Sequence, residues 1–489
     1  MSETAAHGDD LCYLSATEQM ARFAAGTLSP VEVLEAQIAR VEEIDSRVNA
    51  VTFTAFDDAM AAARESESRY RDGSARPLEG LTVALKDEDG LAGWPMTAGS
   101  ALLAKNRLTE NTPVVDLLLA AGAICHLQTT VPEAYFIALT WSKLWGVTRN
   151  PWNLAATVGG SSGGSGAALA AGFTTLATGS DMGGSIRIPA AFNGIYGFKP
   201  PHGRVPLPPG GEVMPQGTSG PMARTFEDLA LMQTAITGPH PKQMTALRPP
   251  LHYPHDRAAY ADVEGLRIAY SPHQGWAVID PEVRANTDAA VRALASRGAV
   301  VEEVELPWDG NVIEDATVKA LLSSSMGAML LQAAGLDESA PLTTYARHFI
   351  ALAEQDAGPV QLAGAGAAAA EMFATYDALF EQGFDAFICP TVSTTHLRAD
   401  LDFTADTLEV AGELVNPLSG WFLTGAFNLL YTVPVLSVPT GLASNGVPTG
   451  MQIAGRAYDD LTAFRVAAAH ATTAPQLFDG DRMPDFREA

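Results

Sequence analysis

VGGSSGGSGAALAAGFTTLATGSDMGGSIRIPAAFNGIYGFK, Val158 to Lys199, is the stretch whose reading decides this chain. It holds two glycine–serine clusters, Gly159 to Gly166 and Gly179 to Ser185, separated by an Ala-rich segment that suits one short helix. Glycine admits backbone conformations that a Cβ forbids and lets other groups approach the main chain closely. Serines placed inside such clusters are costly unless their hydroxyls or the neighbouring N–H groups are used. In the second cluster, Phe173 to Thr178 fits a strand or a helix end. Gly179 to Ser185 follows as a tight turn, and Ser185-Ile186-Arg187 opens a helical turn before Pro189. A turn of this kind presents successive N–H groups to one point, as an oxyanion hole for a tetrahedral intermediate requires. The Ser185 hydroxyl stands at its end, placed to attack.

The first cluster fits the G-x-S-x-G pattern of a nucleophile elbow through Gly159-Gly160-Ser161-Ser162-Gly163. An elbow needs a strand directly before it, and Asn150 to Thr157 contains a proline and turn residues. The histidines that could serve it (His273, His348, His396, His470) sit in undistinguished contexts. A phosphate loop is weaker still, because no lysine follows the glycines. An attacking serine needs a base. Lys86 ends the apolar strand Thr82 to Leu85, where burial would lower its pKa toward neutrality. The other option is a lysine that snorkels from the strand end, or one paired with Asp87 or Glu88.

The rest of the chain reads as scaffold. Its 489 residues are 47% hydrophobic, enough for a large core, and no composition break divides them. A single α/β domain is therefore preferred over the three that a prior of roughly 150 residues each would suggest. The formal net charge of −26 argues against nucleic acid or an anionic membrane as partner. Only six of the 30 basic residues are lysines. Three well-separated cysteines, Cys12, Cys125 and Cys389, make neither a disulfide framework nor a metal site. The opening MSETAAHGDDL lacks a basic and an apolar signal region, and no apolar run approaches the ~18 residues of a membrane span. A cytoplasmic protein without metal or cofactor is expected. Helices are predicted over 15–25, 30–44, 57–71, 112–121, 225–237, 281–297 and 461–471. Strands are predicted near 81–85, 123–127, 266–270, 299–306, 386–389, 435–438 and 451–454. The stretches 200–220 and 238–262, rich in Pro and Gly, read as loops.

Taken together, Lys86-Asp87, the Gly-Gly-Ser-Ser-Gly-Gly run and Gly-Ser-Asp-x-Gly-Gly-Ser-Ile-Arg resemble the amidase signature family. So do Thr97 to Ser100, Thr148 to Trp152, Gly197 to Pro200, Cys389 to Thr391, Phe427-Asn428 and Gly450 to Gln452. The likeness spans nearly the whole chain, and the spacing agrees, with Ser161 75 residues after Lys86 and Ser185 24 after Ser161. The resemblance implies an α/β amidase signature fold, a large twisted mixed β-sheet flanked by α-helices. It implies one amidase domain over 1–489, with a signature core at about 80–225 and a helical pocket-forming region at about 310–385. It also implies a Ser–Ser–Lys triad: Ser185 as nucleophile, Ser161 (preceded by a cis peptide) as relay, and neutral Lys86 as base. Backbone N–H groups of Met182, Gly183, Gly184 and Ser185 would hold the oxyanion.

Gly160, Ser162 and Tyr135 are candidate substrate contacts. Ser162 and Ser180 are supporting hydroxyls or bond their own loops. Asp181 and Arg187 flank the turn as a structural pair. Pocket walls are expected from Tyr135, Phe136, Trp141 to Trp145, the 310–350 helices, Thr391 and Trp421, which suits an aryl or apolar acyl group. The chain departs from the family pattern at Val158, at Glu88-Asp89-Gly90, which puts acid beside the base, and at Thr130 to Glu133. The activity implied is hydrolysis of a small-molecule carboxylic amide through an acyl-enzyme, without cofactor. Carbamate, ester or cyclic-amide hydrolysis, or an amidotransferase A-type subunit, are the alternatives. A homodimer is open.

Overall fold

A computed structural model describes residues 11–208, 210–324, 335–480 and 482–488. The first ten residues, and 325–334 of the expected helical pocket region, lie outside the described residues. The helix Pro30–Val48 shows how the sequence starts its elements. Ser29 accepts from the Glu32 N–H, and the Glu32 carboxylate accepts from the Ser29 N–H. Two helix-end donors are thus satisfied reciprocally. Pro30 follows at the first turn, where a missing N–H costs nothing.

Among the described residues eleven strands form one mixed sheet. In spatial order they are Val51–Thr54, Ile124–Thr129, Thr82–Lys86, Leu176–Asp181, Thr218–Ala223, Tyr196–Lys199, Val435–Leu442, Pro448–Ala454, Ala386–Pro390, Arg267–Tyr270 and Val300–Glu303. Thr82–Lys86 runs parallel to both its neighbours, Ile124–Thr129 and Leu176–Asp181. The middle of the sheet, from Leu176–Asp181 to Ala386–Pro390, is antiparallel throughout. These strands are almost wholly buried, although Leu176–Asp181 and Thr218–Ala223 carry Ser, Thr, Gly and Asp among their apolar residues.

Two sequence expectations fail here. Thr218–Ala223 lies within and beyond the expected loop 200–220, yet it pairs on both edges. Pro221 and Gly220 mask it, because proline gives the ladder no N–H and is ordinarily kept off central strands. Asn153–Thr157 is a strand after all, pairing with Arg149–Asn150 in a small sheet apart from the large one.

The Ala-rich segment forms the helix Gly163–Ala170, every residue of which is buried. Its glycines are required by contact. A Cβ at Gly164 would meet the Thr130 backbone, and one at Gly163 the Thr140 hydroxyl. The helix therefore sits close against the strand ends and holds Ser161 and Ser162, just before it, at the C-terminal end of Thr82–Lys86. Among the described residues no helix is long and apolar enough to cross a membrane.

Candidate active site

Lys86 is the last residue of its strand and is fully buried. It does not snorkel, and Asp87 does not pair with it. Asp87 instead accepts from the Thr97 N–H and hydroxyl. Lys86 Nζ donates to Ser161 Oγ at 2.9 Å and to Ser180 Oγ at 2.7 Å. Glu88 Oε1 stands 3.5 Å from the same nitrogen, and the Tyr135 ring centroid 5.2 Å from it. Burial pushes the Lys86 pKa down. The nearby charges of Glu88 and Asp89 push it back, and the balance lies below the ordinary lysine value. Ser161 is buried and follows a cis Gly160–Ser161 peptide.

The turn after Leu176–Asp181 is built around the Asp181 carboxylate. Its oxygens accept from the N–H groups of Gly184 at 2.8 Å and Ile186 at 3.2 Å, and from the Arg187 side chain twice at 2.9 Å. Arg187 spends its remaining donors on the Thr424 carbonyl, Gln452 Oε1 and Asn428 Oδ1. Asn428 returns a hydrogen bond to Asp181. Burial alone would raise the Asp181 pKa, but the Arg187 charge and the Arg187 and Asn428 hydrogen bonds outweigh it and hold the carboxyl well below its usual range. The Thr424 hydroxyl donates to the Gly183 carbonyl at 2.6 Å. Gly184 has φ +126°, and a Cβ there would meet the Thr424 hydroxyl; this position needs glycine.

Of the four N–H groups expected to face an oxyanion, that of Gly184 is taken by Asp181, which corrects that assignment. Those of Met182, Gly183 and Ser185 have no partner among the described residues. Ser185, Ser161, Ser180, Met182 and Gly183 line one cavity of about 370 Å³ with Tyr135. Gly160 and Ser162 do not line it. The Gly160 backbone is pressed against Leu139, and the Ser162 hydroxyl bridges the Ser180 carbonyl and N–H. The Ser162 N–H donates to the Ser185 carbonyl at 3.2 Å, tying the two glycine–serine clusters together.

Further wall comes from Phe136, Phe349, the helix Gly310–Leu322 and the segment 418–425, and from Leu207, Met214 and Trp276. Other expected walls are used elsewhere. Trp141 packs on Tyr345, Trp145 bonds the Thr97 hydroxyl, Trp421 is buried against Phe422 and Phe192, and the Thr391 hydroxyl meets Ser437. Four acidic residues line the cavity: Glu88, Asp89, Asp181 and Glu314. Glu314 is engaged by Asn416 and Ser419. Among the described residues no Lys, Arg or His lines it. Thr424 carries no sequence signal. Asn428 and Gln452 are visible as family motif residues, with nothing in the sequence to give them a role. Among the described residues no cluster of His, Cys, Asp and Glu could hold a metal ion.

The amidase family model matches residues 32–463. An acylamidase of Rhodococcus erythropolis is 34% identical over 479 residues, spanning 95% of this chain and 96% of the relative. The A-type subunit of the glutamyl-tRNA(Gln) amidotransferase of Chloroflexus aggregans is also 34% identical over 479 residues, 94% of this chain and 96% of that one. Among solved structures, a bacterial aryl acylamidase of the amidase signature enzymes matches with a TM-score of 0.86 at 28% identity, over 95% of this chain and 96% of that chain. The chain belongs to the amidase family. It is an amidohydrolase.

Proposed function

We propose that the chain hydrolyses a neutral, largely apolar carboxylic amide, with an aryl or alkyl acyl group, through an acyl-enzyme on Ser185. Ser185 Oγ attacks the amide carbonyl. Its proton passes to Ser161 Oγ, and the Ser161 proton passes to the neutral Lys86 Nζ. The oxyanion is held by the N–H groups of Met182, Gly183 and Ser185. The relay then returns the proton to the leaving amine, the C–N bond breaks, and water releases the acid by the same route. Asp181 and Arg187 hold the turn's shape. Carbamates, esters and cyclic amides can enter the same sequence.

The observation that carries this is the Lys86–Ser161 hydrogen bond of 2.9 Å beside a cavity that Ser185 lines. The apolar walls and the lack of a lining cation among the described residues support an uncharged substrate. The whole chain works as one amidase domain, with its core at about 80–225 and pocket walls from about 310–385, as a monomer or a homodimer. Three buried thiols, none of them in a disulfide, support a cytoplasmic setting.

A second reading, favoured by the likeness to the A-type subunit from Chloroflexus, is a chain that works only with partner subunits. Mass spectrometry after a fluorophosphonate probe, with wild type and Ser185→Ala, tests the first. One adduct on wild type, none on the variant, and amide turnover by the isolated wild-type chain that the variant loses are expected. Equal labelling of both proteins refutes Ser185 as nucleophile. Labelling without turnover favours the second reading.

A further inference from the structure

The strand Thr82–Lys86 delivers its lysine to the site, and two acidic residues follow close behind. Glu88 lines the cavity with its side chain 21% exposed, and its Oε1 lies 3.5 Å from Lys86 Nζ. That oxygen is buried and has no hydrogen-bond partner among the described residues. Asp89 is buried, lines the same cavity, and its Oδ2 has no hydrogen-bond partner among the described residues. The other groups around Lys86 Nζ are the Ser161 and Ser180 hydroxyls, the Tyr135 ring, and the Asp181 carboxylate, which Arg187 already neutralises. On the reading of Lys86 as the base, the resting amine has two hydroxyls for partners. Once it takes the Ser161 proton it becomes a buried ammonium, with the Glu88 carboxylate 3.5 Å away.

We propose that Glu88 is a positioning residue for the base: it stabilises the protonated form of Lys86 during attack and so sets the pH below which the enzyme stops working. This rests on the reading of Lys86 as the base. The proton balance is simple. The proton leaves Ser185 Oγ as that oxygen bonds the carbonyl carbon, the carbonyl π pair moves onto its oxygen, one proton arrives on Nζ through Ser161, and the new ammonium has Glu88 Oε1 3.5 Å away. The sign follows. Neutral Lys86 is the working form, so the acid limb of the rate follows its pKa. A carboxylate beside an amine raises that pKa. Removing the Glu88 charge therefore moves the acid limb to lower pH. Asp89 opposes part of the change. Burial and then the Glu88 charge push its pKa up to about 7; with Glu88 neutral, Asp89 ionises more fully and takes over some of the role.

The test is the second-order rate of fluorophosphonate labelling of Ser185 against pH, for wild type, Glu88→Gln, Glu88→Asp and Glu88→Gln/Asp89→Asn. It needs no identified substrate. The acid limb should move down by about one pH unit in Glu88→Gln, while the limiting rate above that limb falls below wild type. It should move further in the double variant and stay near wild type in Glu88→Asp. Circular dichroism identifies any variant that fails to fold, and Glu88→Asp against wild type then still decides, because a shortened carboxylate that moves the limb upward contradicts the proposal. Superimposable profiles, or an upward shift in Glu88→Gln, overturn it while leaving Ser185 as nucleophile. Absence of labelling in wild type at every pH overturns the base reading, and this with it.

Discussion

Arg187→Met removes a buried cation from the centre of the turn that carries Ser185. Wild-type Arg187 is fully buried and makes five side-chain hydrogen bonds, two to Asp181 and one each to the Thr424 carbonyl, Gln452 Oε1 and Asn428 Oδ1. Methionine fills much of the volume and satisfies none of these acceptors. Asp181 would keep Gly184, Ile186 and Asn428 as donors but lose its counter-charge. Breaking a buried ion pair by deleting one partner costs about 3–5 kcal/mol, because an uncompensated charge stays buried. Urea unfolding followed by tryptophan fluorescence should show a loss of that size, and labelling of Ser185 should fall with it. Adding Asp181→Asn should recover part of the loss by removing the stranded charge. The pH dependence has a definite sign. The folded pKa of Asp181 is depressed, so its contribution is present above the ordinary carboxylate value and is lost as pH falls through the folded one. The slope of stability against pH below about pH 4 should therefore flatten in Arg187→Met. A loss under about 1 kcal/mol, typical of an exposed pair, would refute the account of a buried clamp.

Two more outcomes follow from the interior. His126 and His470 are fully buried, and burial pushes each pKa from 6.5 down to about 4. Their contribution is complete above pH 6.5 and should decline as pH falls toward about 4, by about 1.4 kcal/mol per pH unit for each histidine; glutamine at both positions should flatten that decline in urea titrations. For substrate choice, 4-acetamidobenzoate should be cleaved about tenfold to a hundredfold less efficiently than neutral 4-methylacetanilide, because no cation among the described lining residues meets the carboxylate; equal kcat/KM values by amine release would contradict the electrostatic picture of the cavity.

Much of the fold and site is legible where the signal is local. Ser29, Pro30 and Glu32 announce a helix start by themselves, and a lysine closing an apolar strand is out of character enough to mark a buried amine. The glycine–serine clusters announce a close-packed turn. What stays hidden depends on residues distant in sequence. Thr424, Asn428 and Gln452 reach the turn of Gly183, Asp181 and Arg187 across more than 200 positions, and hydrogen bonds of that reach leave no periodicity. The Ser162 hydroxyl reads as available to substrate because its partner, the Ser180 backbone, belongs to a separate strand. The tryptophans at 141, 145 and 421 read as pocket wall because aromatic residues suit a core and a cavity equally well. Pro221 hides a central strand because pairing on both edges overrides local preference.

Lys86 and Ser180 sit on adjacent parallel strands, Thr82–Lys86 and Leu176–Asp181, whereas the far wall of the cavity comes from Gly310–Leu322 and 418–425. The base is thus fixed by a backbone ladder with a spacing of about 4.8 Å that side-chain changes scarcely alter, and Ser185 rides on the turn that directly follows the neighbouring strand. The wall is carried by separate elements whose side chains can be exchanged without disturbing that ladder. Inheritance can therefore vary what such an enzyme accepts, one wall residue at a time, while what it does to the molecule it accepts stays constant.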